Sequence, residues 1–330
     1  MSVKYRLAIR DAMSEAMEAD ARVILLGQDV GPSDGLFRIT EGLYRKFGQQ
    51  RVIDTPISET ATVGMAIGLA LRGYRPIIEV AFSDHLAVCF DAVINQLAKV
   101  RQLWPTQIAE LPIVIRTLAG AGMGGGPQHS QSLEALFAHI PGLEVTCPST
   151  PSDAKHLLHR AIASPHPVIF LEHKALLRTR GAIEETLREP GHAMVIRAGG
   201  DVTIVSYSAA ILTALSASEH LATESVSAEV VDLRSIVPLD IGTVVRSVEK
   251  TGHLLVVHEG HEFLGVGAEI CAQVAERLPR RGIRFKRLTP PRLAVPVDRD
   301  LEVAYTVSVA DVVSAARELI DRPSVMTVVK

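Results

Sequence analysis

The chain is poor in cysteine: Cys89, Cys147 and Cys271 are its only three among 330 residues, far apart and without a CxxC pair. That usage argues against a disulfide framework and against a zinc knuckle, and it fits a reducing, cytoplasmic setting. A basic excess is also missing. Lys and Arg number 34 against 37 Asp and Glu, for a formal charge of −3. A surface built for nucleic-acid phosphates normally leaves a positive surplus, so that class of partner is not expected. There is no long apolar run. The longest small-apolar stretch, residues 61–71, falls well short of the roughly 20 residues that span a bilayer. The N-terminal MSVKYRLAIRDAMSEAMEAD sets acids inside its apolar pattern and has no signal-peptide core. Internal repeats and low-complexity segments are absent too.

What is present is globular. Hydrophobic residues make up 47% and charged residues 22%, and at ~150 residues per domain the length predicts two domains. Short Val- and Ile-rich runs at residues 23–26, 51–54, 76–80, 113–116, 143–146 and 168–172 are apolar on consecutive positions, the pattern of strands buried on both faces. Helical periods lie between them at 7–18, 61–71, 86–103, 133–139 and 153–163. This alternation predicts an α/β fold whose mostly parallel sheet has helices on both faces. Residues 178–200 are polar, lack a period and contain Pro190, Gly191, Gly199 and Gly200, and we read a linker there. A second α/β unit follows, with strands at 202–206, 228–232, 254–258 and 284–287 and helices at 209–221, 241–250, 268–277 and 312–320. The expected division is 1–180, a linker at 181–200, and 201–330.

Three stretches hold residues suited to chemistry. In the first, Asp54-Thr-Pro-Ile-Ser-Glu59-Thr60, a strand ends and a helix starts; ligands of open α/β sheets bind at such carboxyl ends. A carboxyl at Glu59, beside apolar surface, can hold or donate a proton near neutral pH. A Glu in a first helical turn can equally serve to complement the helix dipole. The helix that follows carries Gly64 and Gly68. Glycine costs roughly 1 kcal/mol inside a helix, which suggests close approach of another helix, within the fold or across a subunit interface.

The second stretch, Leu118 to Ser132, is rich in glycine and contains His129. Gly120, Gly122 and Gly125 satisfy GxGxxG, but Gly126, Pro127, Gln128 and His129 prolong the loop where a dinucleotide-binding helix should begin. The acid some twenty residues on, Glu144, starts the next strand instead of ending it. A loop that brings His129 to a ligand is the better reading, with an ordinary surface histidine as its rival. The third stretch, His258-Glu259-Gly260-His261-Glu262, lacks the helical spacing of HExxH, so a metal site is not expected there. His85, in Phe82-Ser-Asp-His-Leu86, says little by itself.

Several blocks together resemble one family. They are Arg51-Val-Ile-Asp-Thr-Pro-Ile-Ser-Glu59, Gly126-Pro-Gln-His-Ser-Gln-Ser-Leu-Glu-Ala135 with Phe137-Ala-His-Ile-Pro-Gly142, Pro167-Val-Ile-Phe-Leu-Glu-His-Lys174, Val231-Asp-Leu-Arg-Ser-Ile-Val-Pro238 and Gly265-Val-Gly-Ala-Glu-Ile270. In this order they resemble the β subunit of the E1 component of 2-oxo acid dehydrogenase complexes, of the pyruvate, branched-chain and acetoin type, nearly end to end. The resemblance implies a pyrimidine-binding α/β domain followed by a transketolase C-terminal-like domain, with thiamine diphosphate as cofactor. It implies that Glu59 hydrogen-bonds N1′ of the aminopyrimidine, that Ile57 and the residue at His85 line the cofactor, and that His129 stands near the substrate carboxylate and the incoming lipoyl group. The reaction would be decarboxylation of a 2-oxo acid, pyruvate or branched-chain, and reductive acylation of a lipoyl group on E2.

The Gly-Asp-Gly motif that holds the diphosphate and Mg2+ in such enzymes is missing from this chain. The resemblance therefore implies that an α subunit holds the Mg-diphosphate end, in an α2β2 heterotetramer. Some relatives bind K+ through backbone oxygens, and the matching positions are Ile113, Ala161, Ile162, Ser164 and His166. There are departures. His85 stands where the family has Phe or Tyr, which adds a titratable group near Glu59, and Arg101-Gln-Leu-Trp-Pro-Thr106 replaces a Tyr-rich segment. The His85 change keeps one alternative open, a two-chain thiamine-dependent lyase or carboligase independent of E2; another is a non-catalytic E1β-like scaffold, against which the retention of Glu59 and His129 argues.

Overall fold

A computed structural model describes residues 2–185, 189–279 and 282–321. The strands, in chain order, are β1 (Ser2–Lys4), β2 (Val23–Gly27), β3 (Val52–Asp54), β4 (Arg75–Phe82), β5 (Val114–Ala119), β6 (Glu144–Thr146), β7 (Val168–His173), β8 (Arg180–Ala182), β9 (Met194–Arg197), β10 (Val202–Ser206), β11 (Ala228–Asp232), β12 (Ser235–Val237), β13 (His253–Val257) and β14 (Arg284–Leu288). The α-helices are α1 (Tyr5–Ala19), α2 (Leu43–Phe47), α3 (Glu59–Leu71), α4 (Val100–Leu103), α5 (Glu134–Ala138), α6 (Pro151–Ala163), α7 (Ala210–Thr223), α8 (Ile241–Thr251), α9 (Val266–Arg277), α10 (Arg299–Tyr305) and α11 (Val309–Asp321). Two compact units result. The first runs to Gly191 and also takes Arg234–Pro238 and Ala294–Glu302; the second takes His192–Leu233, Leu239–Leu293 and the chain from Val303 on.

The first unit is built on a seven-stranded sheet in the order β12-β6-β7-β5-β4-β2-β3. All of its pairs are parallel except β12 with β6. Every residue of β2, β5 and β7 is buried, which is why these strands read as unbroken apolar runs and not as alternating ones. Helix α1 turns Tyr5, Ala8, Ile9, Ala12, Met13 and Met17 inward, the three- and four-residue spacing of one helix face. Helix α6 starts on a polar cap. The Thr150 hydroxyl accepts from the Asp153 N–H at 3.0 Å, and Pro151 follows where its missing N–H is no loss.

The second unit has a five-stranded sheet in the order β14-β13-β10-β11-β9, parallel except for β9 against β11. Its core joins Ile204, Val230, Leu255 and Val257 of the sheet to Ile211, Ala214 and Leu221 of α7 and Val312, Ala316 and Leu319 of α11.

Three local expectations are corrected by the fold. Residues 86–103 do not form one helix. A 3₁₀ turn (Ser83–Ala87) comes first, then a π-helical turn (Ala92–Leu97), then α4. The Ala98 N–H reaches back five residues to the Val93 carbonyl at 3.0 Å. Gly142, at φ +101°, brings its backbone against the Ala98 carbonyl, where a Cβ would lie 2.1 Å away. The stretch read as a linker carries the end of β8 and all of β9, a short edge strand whose partner β11 lies some thirty residues further on; its residues 186–188 lie outside the described residues. Finally, Ser235–Val237 is a strand of the first unit's sheet. It ends at Pro238, as suits an edge strand, since proline cannot donate to a ladder.

Candidate active site

Strands β3, β4 and β5 lie in one parallel sheet, so their carboxyl ends open onto the same side. The loop after β3 is tied down by the Thr55 N–H, which donates to the Gly27 carbonyl at 2.9 Å. Glu59 is the first residue of α3, in the turn where the helix dipole favours a negative group, and its side chain is 16% exposed. Strand β4 ends at Phe82, and the 3₁₀ turn beyond it carries His85. Strand β5 ends at Ala119, and the glycine-rich loop beyond it carries His129.

These three loops meet. His85 Nδ1 stands 3.9 Å from Glu59 Oε1. The rings of His85 and His129 are 5.2 Å apart, close to perpendicular at 76°. Phe82 joins them, with its ring centre 5.5 Å from His85 and 4.8 Å from His129, edge to face in both cases. The Lys174 ammonium lies over the same Phe82 ring at 5.3 Å, a cation–π contact. The arrangement sets one carboxyl and two imidazoles around an aromatic platform, groups able to hold, accept and deliver protons.

The His129 loop is held at several points. Lys174 Nζ donates to the His129 carbonyl and, at 3.2 Å, to the Ser130 hydroxyl. Gln131 donates to Asp84 through both its side chain and its backbone. The Gly124 N–H donates to Glu302 Oε2 at 2.8 Å. Gly120 (φ +81°) cannot carry a side chain, because a Cβ would fall 1.8 Å from His173 Nε2. No helix starts among these glycines; α5 begins only at Glu134, so the loop does not present the helix N-terminus that a dinucleotide would need.

Below the site the sheet is charged. Arg116 donates to Glu172 at 2.6 and 3.0 Å and to Glu79 at 2.8 Å, with Arg116 and Glu172 only 1% exposed. Burial pushes the Glu172 carboxyl up to about 7, against the downward pull of Arg116. Cys89 is pushed up to about 11, chiefly by burial and further by the negative charge of Glu59. A thiol so raised is a packing group and not a nucleophile.

Of the residues singled out in the sequence, Glu59, His85 and His129 are brought together, and Ile57 sits on the Glu59 loop, 73% exposed. The five residues matched to a K+ site make these contacts. The Arg75 guanidinium donates to the carbonyls of Ile162 at 3.0 Å and Ser164 at 3.2 Å; the carbonyls of Ala161 and Ile113 accept from Ser164 and Val168; the His166 ring meets Arg101. His258 is buried and stacked on Tyr207, its Nε2 accepts from the Gly267 N–H at 3.2 Å, and burial pushes it down to about 4. Among the described residues no group of three or more His, Cys, Asp and Glu side chains is placed to hold a metal ion. Phe82, Asp84, Gln131, Lys174 and Glu302 did not stand out as site residues in the sequence. Phe82 and Asp84 flank His85 closely enough to have been suspected, whereas nothing local marks Glu302.

Comparison with known proteins places the chain. Residues 1–180 match the family model described as transketolase, pyrimidine binding domain, and residues 191–312 match transketolase, C-terminal domain. The chain is 45% identical to the acetoin:2,6-dichlorophenolindophenol oxidoreductase subunit beta of Cupriavidus necator, over 96% of this chain and 97% of that protein. It is 44% identical to the pyruvate dehydrogenase E1 component subunit beta of Leifsonia xyli subsp. xyli, over 82% and 80%. It is 40% identical to the 2-oxoisovalerate dehydrogenase subunit beta of Bacillus subtilis, over 97% and 99%. A solved split-gene transketolase, an inactive beta4 tetramer, superposes with a TM-score of 0.80 at 23% identity, covering 96% of this chain and 98% of that one; this likeness concerns the fold alone.

Proposed function

The chain belongs to the family of E1-component β subunits of 2-oxo acid dehydrogenases, and on that premise we propose that it is the pyrimidine-holding half of a thiamine-diphosphate enzyme completed by an α subunit. The observation that carries this reading is the meeting of Glu59, His85 and His129, with 3.9 Å between the first two side chains and 5.2 Å between the two rings. The residues fit one end of the cofactor: a partly open carboxyl at a helix start, an exposed apolar side chain at Ile57, and two imidazoles. A flat heterocycle with hydrogen-bonding nitrogens suits such a setting. We assign the Mg-diphosphate end to the α subunit of an α2β2 assembly.

In this reading Glu59 holds a proton against N1′ of the aminopyrimidine, and the rings of His85 and Phe82 form one wall. Thiamine diphosphate, when bound, supplies the electron sink for loss of CO2 from a 2-oxo acid. His129 orients the substrate carboxylate and delivers a proton as the acyl unit passes to a lipoyl group on E2. Phe82 and Lys174 fix that imidazole from one side and from its own backbone. The acyl chain, pyruvate-like or branched, is set jointly with the α subunit.

The test is to purify the chain with its α subunit and assay thiamine-diphosphate-dependent CO2 release from pyruvate and from branched 2-oxo acids. Glu59→Gln is expected to lower turnover by ~10²–10⁴-fold with assembly intact by size-exclusion chromatography. Unchanged turnover would remove the proposed role of Glu59. One observation favours a second reading: the imidazole of His85 close to Glu59 is a further proton acceptor, suited to carbon–carbon cleavage of a hydroxyketone. Acetoin therefore belongs in the substrate panel, and activity that never requires a lipoyl acceptor would favour the E2-independent lyase.

A further inference from the structure

His85 and His129 reach the site from two different loops, and proton chemistry at a shared substrate tolerates little drift between them. One pair of side chains spans those loops directly. Asp84, one residue before His85, is 9% exposed. Its Oδ1 accepts from Gln131 Nε2 at 2.9 Å and from the Gln131 backbone N–H at 3.3 Å. Gln131, two residues after His129, is gripped at its other end as well: its carbonyl accepts from the Ser83 hydroxyl at 3.1 Å and from the Gly120 N–H at 3.2 Å. Three of the four bonds run between the turn after β4 and the loop after β5, and the Gly120 bond closes that loop on itself.

The pair is also expensive. Asp84 Oδ2 is buried with no hydrogen-bond partner among the described residues. A buried carboxylate with an idle oxygen costs stability that an amide or an apolar residue would not. Departures of this kind concentrate where a structure must be held in one arrangement.

We propose that Asp84 and Gln131 are a positioning pair that sets where the His129 imidazole stands relative to His85. They act through His129, and the inference rests on the role given to His129 above.

The test compares Gln131→Glu, Asp84→Asn, the double variant Asp84→Asn/Gln131→Glu, His129→Ala, and Gln131→Glu combined with His129→Ala, each in complex with the α subunit. Gln131→Glu sets carboxylate against carboxylate and is expected to lower kcat roughly tenfold to hundredfold with little change in KM. The double variant restores part of that loss, because the amide nitrogen introduced at position 84 donates to the carboxylate at 131 where Oδ1 accepted from Gln131, while the longer bond from the backbone N–H is given up. In the His129→Ala background Gln131→Glu adds no further loss.

A second readout is independent of turnover. The pH-dependent rate of His129 carbethoxylation by diethyl pyrocarbonate, followed by peptide mass spectrometry, is expected to shift in Gln131→Glu and to return in part in the double variant. A loss that persists in full in the His129→Ala background, or no rescue by the double variant, overturns the inference. If Gln131→Glu fails to assemble, Gln131→Met removes the same donor without adding charge and is read by the His129→Ala background and by the carbethoxylation profile: an effect that persists in full in that background, or an unshifted profile, overturns the inference. If His129→Ala itself leaves kcat unchanged, the proposed function fails at His129, and the carbethoxylation profile alone then decides whether the pair positions the ring.

Discussion

In the sheet of the first unit a guanidinium lies between two carboxylates, Arg116 with Glu79 and Glu172; between the sheet of the second and its helix α8, hydroxyls bond to one another, with Thr203 of β10 at 2.7 Å from both Ser247 and Thr251. Both sheets are largely parallel and covered on both faces, so any polar group inside them must be satisfied by another. The second unit does this at Thr203 with neutral groups, and its buried Glu229, on β11, accepts from the Gly199 N–H at 3.2 Å and pairs with a Lys250 that reaches solvent. Even its buried imidazole, His258, is pushed by burial toward the uncharged form. In the first unit the cation itself is buried, Arg116 being 1% exposed, and it sits in the sheet whose carboxyl ends carry Glu59, His85 and His129. One architecture thus supports two kinds of polar interior, and the chemistry-bearing residues gather over the one with the buried cation. Function belongs to the groups a sheet presents and not to the sheet itself.

The contrast can be broken most severely at Arg116. Arg116→Met leaves Glu79 and Glu172 buried without their cation and is expected to destabilise the protein by about 3–5 kcal/mol in urea unfolding. A loss below about 1 kcal/mol, the scale of an exposed ion pair, would mean that the cluster is not a buried one in solution.

Next comes acid. His258 is held near 4 in the folded chain against an ordinary value of 6.5. The unfolded chain therefore binds the extra proton between those values, and stability falls as pH drops from about 6.5 to 4, by at most ~3 kcal/mol. Glu172 has the opposite sign. Its folded value is raised to about 7, so its contribution is complete below the ordinary carboxyl range and is lost as pH rises through about 7. Comparing stability against pH for the wild type and His258→Asn isolates the first effect. An unchanged acid limb in the variant would show that His258 is not its source.

A smaller effect is expected at Thr203→Val, which leaves the Ser247 and Thr251 hydroxyls without their shared partner and should destabilise by about 1–3 kcal/mol. Thr203→Ser, which keeps the hydroxyl, should recover most of that; equal losses in the two variants would assign the effect to packing. The smallest effect lies at the caps. Asp240 accepts from the Thr243 N–H at 3.0 Å at the start of α8 and from the Ala193 N–H at 3.0 Å. Asp240→Ala should lose ~1 kcal/mol, and a thermal midpoint unchanged in that variant would show the cap to be dispensable.

Much of the fold was legible because buried parallel strands write themselves as apolar runs and amphipathic helices as spaced ones. β2, β5, β7 and β10 were visible for that reason, as were α1 and α6. The elements that escaped owe their state to distant partners. β9 is a strand because β11 is beside it, β12 because β6 accepts it, and the π-helical turn at Ala92–Leu97 is a detail of packing that no periodicity displays. The site divides the same way. Glu59 announced itself as a lone acid between a strand and a helix, and His129 as a histidine in a glycine loop. Asp84 lay unnoticed beside His85, since nothing in its neighbourhood foretells Gln131 as its partner.

By itself the sequence determined the alternation of strands and helices, the helix start at Glu59 and the glycine loop that carries His129, because each of these depends on residues within a turn or two along the chain. The tertiary structure alone decided that the two imidazoles stand 5.2 Å apart, that Lys174 grips the His129 backbone, and that Glu302 reaches the Gly124 N–H from far along the chain. Those choices follow from which strands lie side by side. Strand order is settled by how the sheet buries its two faces, and that is a property of the whole chain.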